Sequence, residues 1–170
     1  MPAVINGALK DLYEAGATQL YPPGQKLVTP DGAVFRYGLM GATVGVANKL
    51  YQAGIAIAGH QSQAATVALA VGDTTITFRP TTNGLAVNEL TGGTVLVEET
   101  DDLGHVYHVK SNAVAAANVD SVLTLADGVT VQAAVAGAAL NVLTVFKNPW
   151  RDTIIAPVTT PTGVAAGVPR

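Results

Sequence analysis

The chain contains no cysteine, which excludes disulfides, thiolate chemistry and a Cys-based zinc site. Charge is scarce too: Asp, Glu, Lys and Arg make up 12% of the 170 residues, about half the ~25% of an ordinary soluble domain. Aromatic residues supply only 5%. No apolar run reaches the roughly 18–20 residues that a membrane helix needs; the longest candidates, 53–59 and 133–140, are short and contain glycine. There is no basic stripe, since nine Lys and Arg are spaced singly from Lys10 to Arg170 and the net charge is -3. A nucleic-acid partner, whose phosphates would need neutralising, is therefore not expected. Met1 to Lys10 shows no cationic start followed by an apolar stretch, so no secretory leader is expected.

What the chain has in quantity is small and β-branched apolar residues. Hydrophobic residues make up 49% and the mean hydropathy is +0.36, which argues against intrinsic disorder, a state of low hydrophobicity and high charge. At 17.2 kDa the chain is expected to be one domain, or a domain with an arm, burying roughly two-thirds of its unfolded surface. A surface so poor in charge must consist of Thr, Gly, Asn and Ala, or be covered by a partner.

Helix signals are confined to the start. Asn6 can cap a short segment in which Leu9, Leu12 and Tyr13 recur at helical spacing, ending near Gly16. Tyr21-Pro22-Pro23-Gly24 then excludes regular helix or central strand. Residues 1–24 thus read as a short helix and an extended arm. From Gln25 the pattern becomes short Val- and Thr-rich strands divided by turns. Thr29-Pro30-Asp31-Gly32 is a turn joining strands at 25–28 and 33–37. Further strands are expected at 49–58, 64–71 and 74–79, the last alternating Thr, Ile, Thr, Phe. A hairpin with an acidic tip follows at 94–98 and 105–110, then a second at 122–125 and 129–133, then strands at 142–147 and 153–156. Strands recurring at this spacing predict a mainly β, antiparallel sandwich or barrel-like domain over 25–156. Residues 157–170, rich in Pro, Gly and Thr, read as an extended or disordered tail.

A search for chemistry returns no active site. The three serines lie outside any nucleophile elbow; His60 and Ser62 would share one face of a strand, but their segment reads as a polar loop. His105 and His108 are three apart, which on a strand sends the imidazoles to opposite faces, away from a common metal ion. Glu98, Glu99, Asp101 and Asp102 lack the donor spacing of a calcium loop and read as a charged hairpin tip that protects a sheet edge. Gly38, Gly41 and Gly45 match neither phosphate-binding pattern and read as bulges or bends. Glycoside hydrolysis needs two carboxylates across a cleft, and Glu98 with Glu89 or Asp120 can be named for it, but no pattern singles them out. Trp150, the single Trp, reads as an anchor in a core or a subunit contact. No catalytic residue, cofactor or metal ligand is assigned.

Several stretches resemble structural proteins of tailed bacteriophages. Residues 28–50 read VTPDGAVFRYGLMGATVGVANKL and run on into Tyr51-Gln52: a hairpin ending in Asp-Gly, a Val-Phe-Arg-Tyr strand, a small-residue segment and a Lys-Leu strand start. The stretch GHVYHVKSNAVAAA at 104–117, then 122–125, 148–150 and PTGVAAGVP at 161–169, is similar to later parts of the same family. The family is that of capsid cement, or head decoration, proteins. The resemblance implies a non-enzymatic homo-oligomer, a homotrimer before a homodimer, assembled in the host cytoplasm. It would sit on the capsid surface of the virion, brace major capsid subunits from outside, and contact neither nucleic acid nor membrane. Such a protein buries flat β surface and arms against partners, in keeping with low charge and abundant Ala, Val and Thr. Tyr21, Arg36, Arg79, Trp150 and Arg151 are the candidate interface residues, the arginines for carboxylate pairing. An alternative is a head-fibre or tail adaptor recognising host-surface glycan, which predicts a groove with exposed aromatic or carboxylate clusters.

Overall fold

The computed structural model of the chain describes residues 4–8, 10, 16–98, 103–137, 139–160 and 162–168, with side chains at 139–142 left aside. The fold is mainly β, with antiparallel sheets and, among the described residues, almost no helix. Twelve strands occur among the described residues: β1 Ile5–Asn6, β2 Lys26–Val28, β3 Val34–Arg36, β4 Tyr51–Gln52, β5 Gln63–Ala65, β6 Thr75–Phe78, β7 Thr94–Val97, β8 Val106–Asn112, β9 Ser121–Leu125, β10 Ala139–Phe146, β11 Ile154–Ile155 and β12 Ala165–Gly167. They fall into two compact units, one of Met1–Ile55 with Asn148–Arg170 and one of Ala56–Lys147. The expected division into an arm, a β domain over 25–156 and a tail is redrawn accordingly. Its two ends also contribute strands: Ile5–Asn6 pairs in parallel with β2, and Ala165–Gly167 pairs with β4. Asn6 is thus a strand residue, not a helix cap; the remainder of the expected helix, at Leu9 and 11–15, lies outside the described residues.

The second unit carries a six-stranded sheet in the order β5-β10-β7-β8-β9-β6, antiparallel throughout, whose end strands β5 and β6 approach each other to give a nearly closed, barrel-like sheet. Period-two patterning fills it. Ile76 and Phe78 of β6, Val95 and Val97 of β7, Tyr107 and Val109 of β8, Leu123 and Leu125 of β9, and Leu143 and Val145 of β10 all point inward. Leu69, Leu85, Leu90, Val131 and Val135 from the connections join the same core. Each such side chain stabilises the fold by about 1.5–3 kcal/mol on burial. Asn112, beyond a register shift in β8, is a buried polar exception with every group met: its Oδ1 accepts from Leu90 N at 2.8 Å, and its Nδ2 donates to Ala86 O and Ala113 O.

The first unit is built differently. It has two three-stranded sheets, β1-β2-β3 and β11-β4-β12. Among its described residues Tyr51 is the one buried large apolar side chain, while Gln25, Thr29, Gln52, Asn148 and Thr153 supply the other buried groups. Polar pairs stand in for a core. Gln52 Nε2 donates to Thr162 Oγ1 at 2.7 Å and its Oε1 accepts from Thr162 N, pinning the segment before β12 to β4.

Several expected strands shrink or vanish for identifiable reasons. The stretch 49–58 reduces to β4, because at Gly54 the chain runs against the Asp152 backbone, whose O lies 2.9 Å from where a Cβ would stand. Residues 129–133 form no strand. Both edges of β9 are taken, by β8 and β6, and Val131 instead exchanges hydrogen bonds with Gly72 and Asp73.

Candidate interaction surface

The β2–β3 hairpin sets the frame. Thr29 N donates to Ala33 O, Gly32 N donates to Thr29 O, and Asp31 Oδ1 accepts from Ala33 N. Gly32 has φ 81°, so Pro30-Asp31-Gly32 is a three-residue loop ending in a left-handed glycine, as three-residue hairpins require. That loop fixes the register as Lys26 opposite Arg36, Leu27 opposite Phe35, and Val28 opposite Val34.

Three of the five candidate residues meet at the open end of this hairpin. Tyr21-Pro22-Pro23-Gly24 is a turn that folds back on it: Gln25 N donates to Pro22 O and Gly24 N to Tyr37 O. Gly24 has φ 86° and lies flat on Trp150, where an added Cβ would stand 2.8 Å from Cδ1; only glycine fits there without strain. Arg36 Nη1 donates to Gly24 O at 3.0 Å, and its guanidinium carbon lies 5.7 Å from the Trp150 ring centroid, a cation–π contact. The Tyr21 ring meets Tyr37 edge-on at 5.7 Å, and Tyr37 Oη accepts from Leu20 N. Asn148 braces the cluster: its Nδ2 donates to Pro23 O, its Oδ1 accepts from Trp150 N, and its backbone O accepts from Arg151 N. Arg151 therefore follows directly on the Trp150 turn.

Arg79 is not part of this group. It lies in the second unit, where Nε and Nη2 donate to the two oxygens of Asp120 at 2.7 and 3.0 Å. The carboxylate it was expected to seek on a partner is supplied by its own chain. The hydrogen bonds from Arg79 hold the Asp120 carboxyl below its ordinary range, and Asp120 in turn raises the guanidinium. Thr66 Oγ1 also donates to Asp120.

The residues considered for chemistry separate. His60, 1% exposed, donates through Nε2 to Asn83 O at 3.1 Å and packs edge-on against Phe78. Burial pushes its imidazole below the ordinary value. Ser62, at φ 49°, turns away and donates to Glu98 Oε2 at 2.9 Å. Glu89 is paired with Lys147. Burial works against its charge, but the Lys147 ammonium and the Ala86 N–H outweigh it and hold the carboxyl below its usual range. His105 and His108 are both exposed, and among the described residues no three His, Asp or Glu cluster as metal ligands. Glu99, Asp101 and Asp102 lie outside the described residues. Gly41 and Gly45 pack against the Asp152 backbone and the Met40 side chain. An open cleft of about 270 Å³ on the second unit is lined by His105, Tyr107, Gly128, Thr130 and Gln132 among others. Among the described residues no helix is long and apolar enough to cross a membrane.

The residues that pattern reading misses are Lys26, Tyr37, Gly24 and Asn148. The first was accessible from the hairpin register once the loop is counted as three residues. The others depend on contacts between distant parts of the chain. No family model, no curated protein and no solved structure matches this chain.

Proposed function

We propose that the chain is a non-enzymatic structural protein of a virion, a capsid cement protein that works as a homo-oligomer on the outside of a phage head and strengthens contacts between major capsid subunits. The observation that carries this reading is the make-up of the first unit. Its described residues bury one large apolar side chain yet leave Leu20, Val34, Val44, Val46, Leu50, Ile55 and Val164 exposed, Val44 to 83%. Apolar side chains outside and polar ones inside suit a unit whose final burial comes from neighbours. The phage setting rests on the resemblance of residues 28–50 and 104–117 to cement proteins, and the Asp-Gly hairpin within the first stretch is formed.

The test is to assemble capsid shells with and without the chain. Shells that carry it should withstand heat and osmotic shock that disrupts bare ones, and the chain should sediment with them. Bare shells that survive equally well would remove the bracing role. Retention on a glycan array without any effect on shells would move the assignment to an adaptor that binds host-surface sugar.

A further inference from the structure

Charge is divided unevenly along the chain. The first unit holds six Lys and Arg against four Asp and Glu, and the second holds three against eight. All three cations of the second unit are neutralised within it, Arg79 by Asp120, Lys110 by Asp127 and Lys147 by Glu89, which leaves a surplus of carboxylates. In the first unit, Lys26, Lys49 and Arg151 have no ion pair among the described residues.

Two of the first unit's cations are set against each other. Lys26 stands directly across from Arg36 on one face of the β2–β3 hairpin, and Val28 stands across from Val34 on that same face. Like charges in directly opposed positions destabilise a hairpin unless an anion lies between them. No carboxylate among the described residues does so. Arg36 is nevertheless held in place, by Gly24 O and by the Trp150 ring, and its remaining donors are open among the described residues. Val34 beside it is 54% exposed. The face is therefore a preset cation pair bordered by aliphatic side chains, which fits a carboxylate with apolar surroundings.

We propose that this face is a self-docking surface that takes a carboxylate-bearing, aliphatic patch on the second unit of another copy of the chain. Charge complementarity selects that occupant: the second unit has the surplus of acid, and at the end of the β7–β8 pair Glu98 lies alongside the exposed Leu103 and Val106. Such a contact joins unlike surfaces, so it runs head to tail and builds a ring where the rotation closes. The proposal rests on the reading of the chain as self-associating, but not on the capsid.

The experiment mixes isotope-labelled and unlabelled full-length chain and treats the mixture with a zero-length carbodiimide, which condenses an amine with a carboxylate to an amide with loss of water. Lys26 should be found joined to Asp or Glu of 56–147 in peptides that pair a labelled with an unlabelled copy. By light scattering, K26E/R36E should weaken self-association about tenfold or more, and Arg36→Lys should largely preserve it. Salt of about 0.5 M should weaken the wild-type assembly; this needs no variant and decides the matter if the double variant misfolds. A monomer at every concentration, links confined to single copies, or association indifferent to both salt and charge reversal would each overturn the proposal. Shells braced normally by a protein that ignores charge reversal would sink the docking surface alone. Salt-sensitive assembly that leaves shells no tougher would sink the capsid role alone.

Discussion

His60 shows how far one side chain can set the response of this fold to acid. Its Nε2–H donates to Asn83 O, and the ring edge rests on Phe78 in a site where it is 1% exposed. A proton added there would be charged without water, with Lys147 opposing it and Glu89 and the Asn83 carbonyl favouring it, and burial prevails. The folded imidazole therefore titrates below its ordinary value of 6.5. Above about pH 6.5 both folded and unfolded chains carry neutral His60, and its contribution is complete. Below that the unfolded chain takes up the proton first, so stability falls until the folded value is passed and then levels off. Glu89, also lowered, adds a second loss beginning near the ordinary carboxyl value of 4.5 as its pairing with Lys147 is protonated away. Denaturant melts from pH 8 to 5 should show stability declining below about pH 6.5, and His60→Gln should flatten that decline while lowering stability at pH 8. An unchanged slope in the variant would mean another group is responsible.

At the scale of elements, Gln52 decides whether β12 belongs to its sheet. Its buried amide engages Thr162 through both ends, and Ala53 N donates to Val164 O just beyond. Gln52→Leu keeps the volume but removes both hydrogen bonds to the exposed Thr162, at about 0.5–1.5 kcal/mol each. Limited proteolysis should then cut within 157–168 well before the wild type is touched, with the β6–β10 region intact. Equal resistance would show that the backbone ladder of β4 and β12 suffices. These elements also show what pattern reading can reach. Period-two alternation locates β6, β7 and β9 to within a residue at each end, because their inward residues form one apolar core. The same signal fails for 129–133, where the alternation is present but β9 has no free edge to offer. It overextends 49–58, where Gly54 meets the Asp152 backbone. The tail was beyond it, since β12 is held by a glutamine and a threonine, not by hydrophobic rhythm. The interface candidates divide similarly. Tyr21, Arg36 and Trp150 converge through the Gly24 turn, a meeting no local spacing encodes, and Arg79 finds Asp120 within its own unit.

Across the whole molecule, stability is divided by composition. The core cluster lies wholly within Ala56–Lys147, while the other unit is held by hydrogen-bonded Gln25, Gln52, Asn148 and Thr153 and by Tyr51. Hydrophobic burial is the dominant stabilising term and hydrogen bonds net far less, so the two units should open at different free energies. Native-state hydrogen exchange on the free chain would read this directly. Amides of Ile76, Val95, Val109, Leu123 and Val145 should exchange slowest, through global unfolding. Those of Leu27, Phe35 and Ile154, where protected at all, should exchange about tenfold or more faster, corresponding to openings at least about 1.4 kcal/mol less costly. If assembly covers the first unit as proposed, association should slow its exchange most, with smaller changes confined to the patch of the second unit that docks there. Uniform protection in the free chain would instead mean that the polar unit is as secure as the apolar one. The exposed Val and Leu side chains would then no longer argue for a neighbour, because a unit already rigid without one has no stability to gain from being covered.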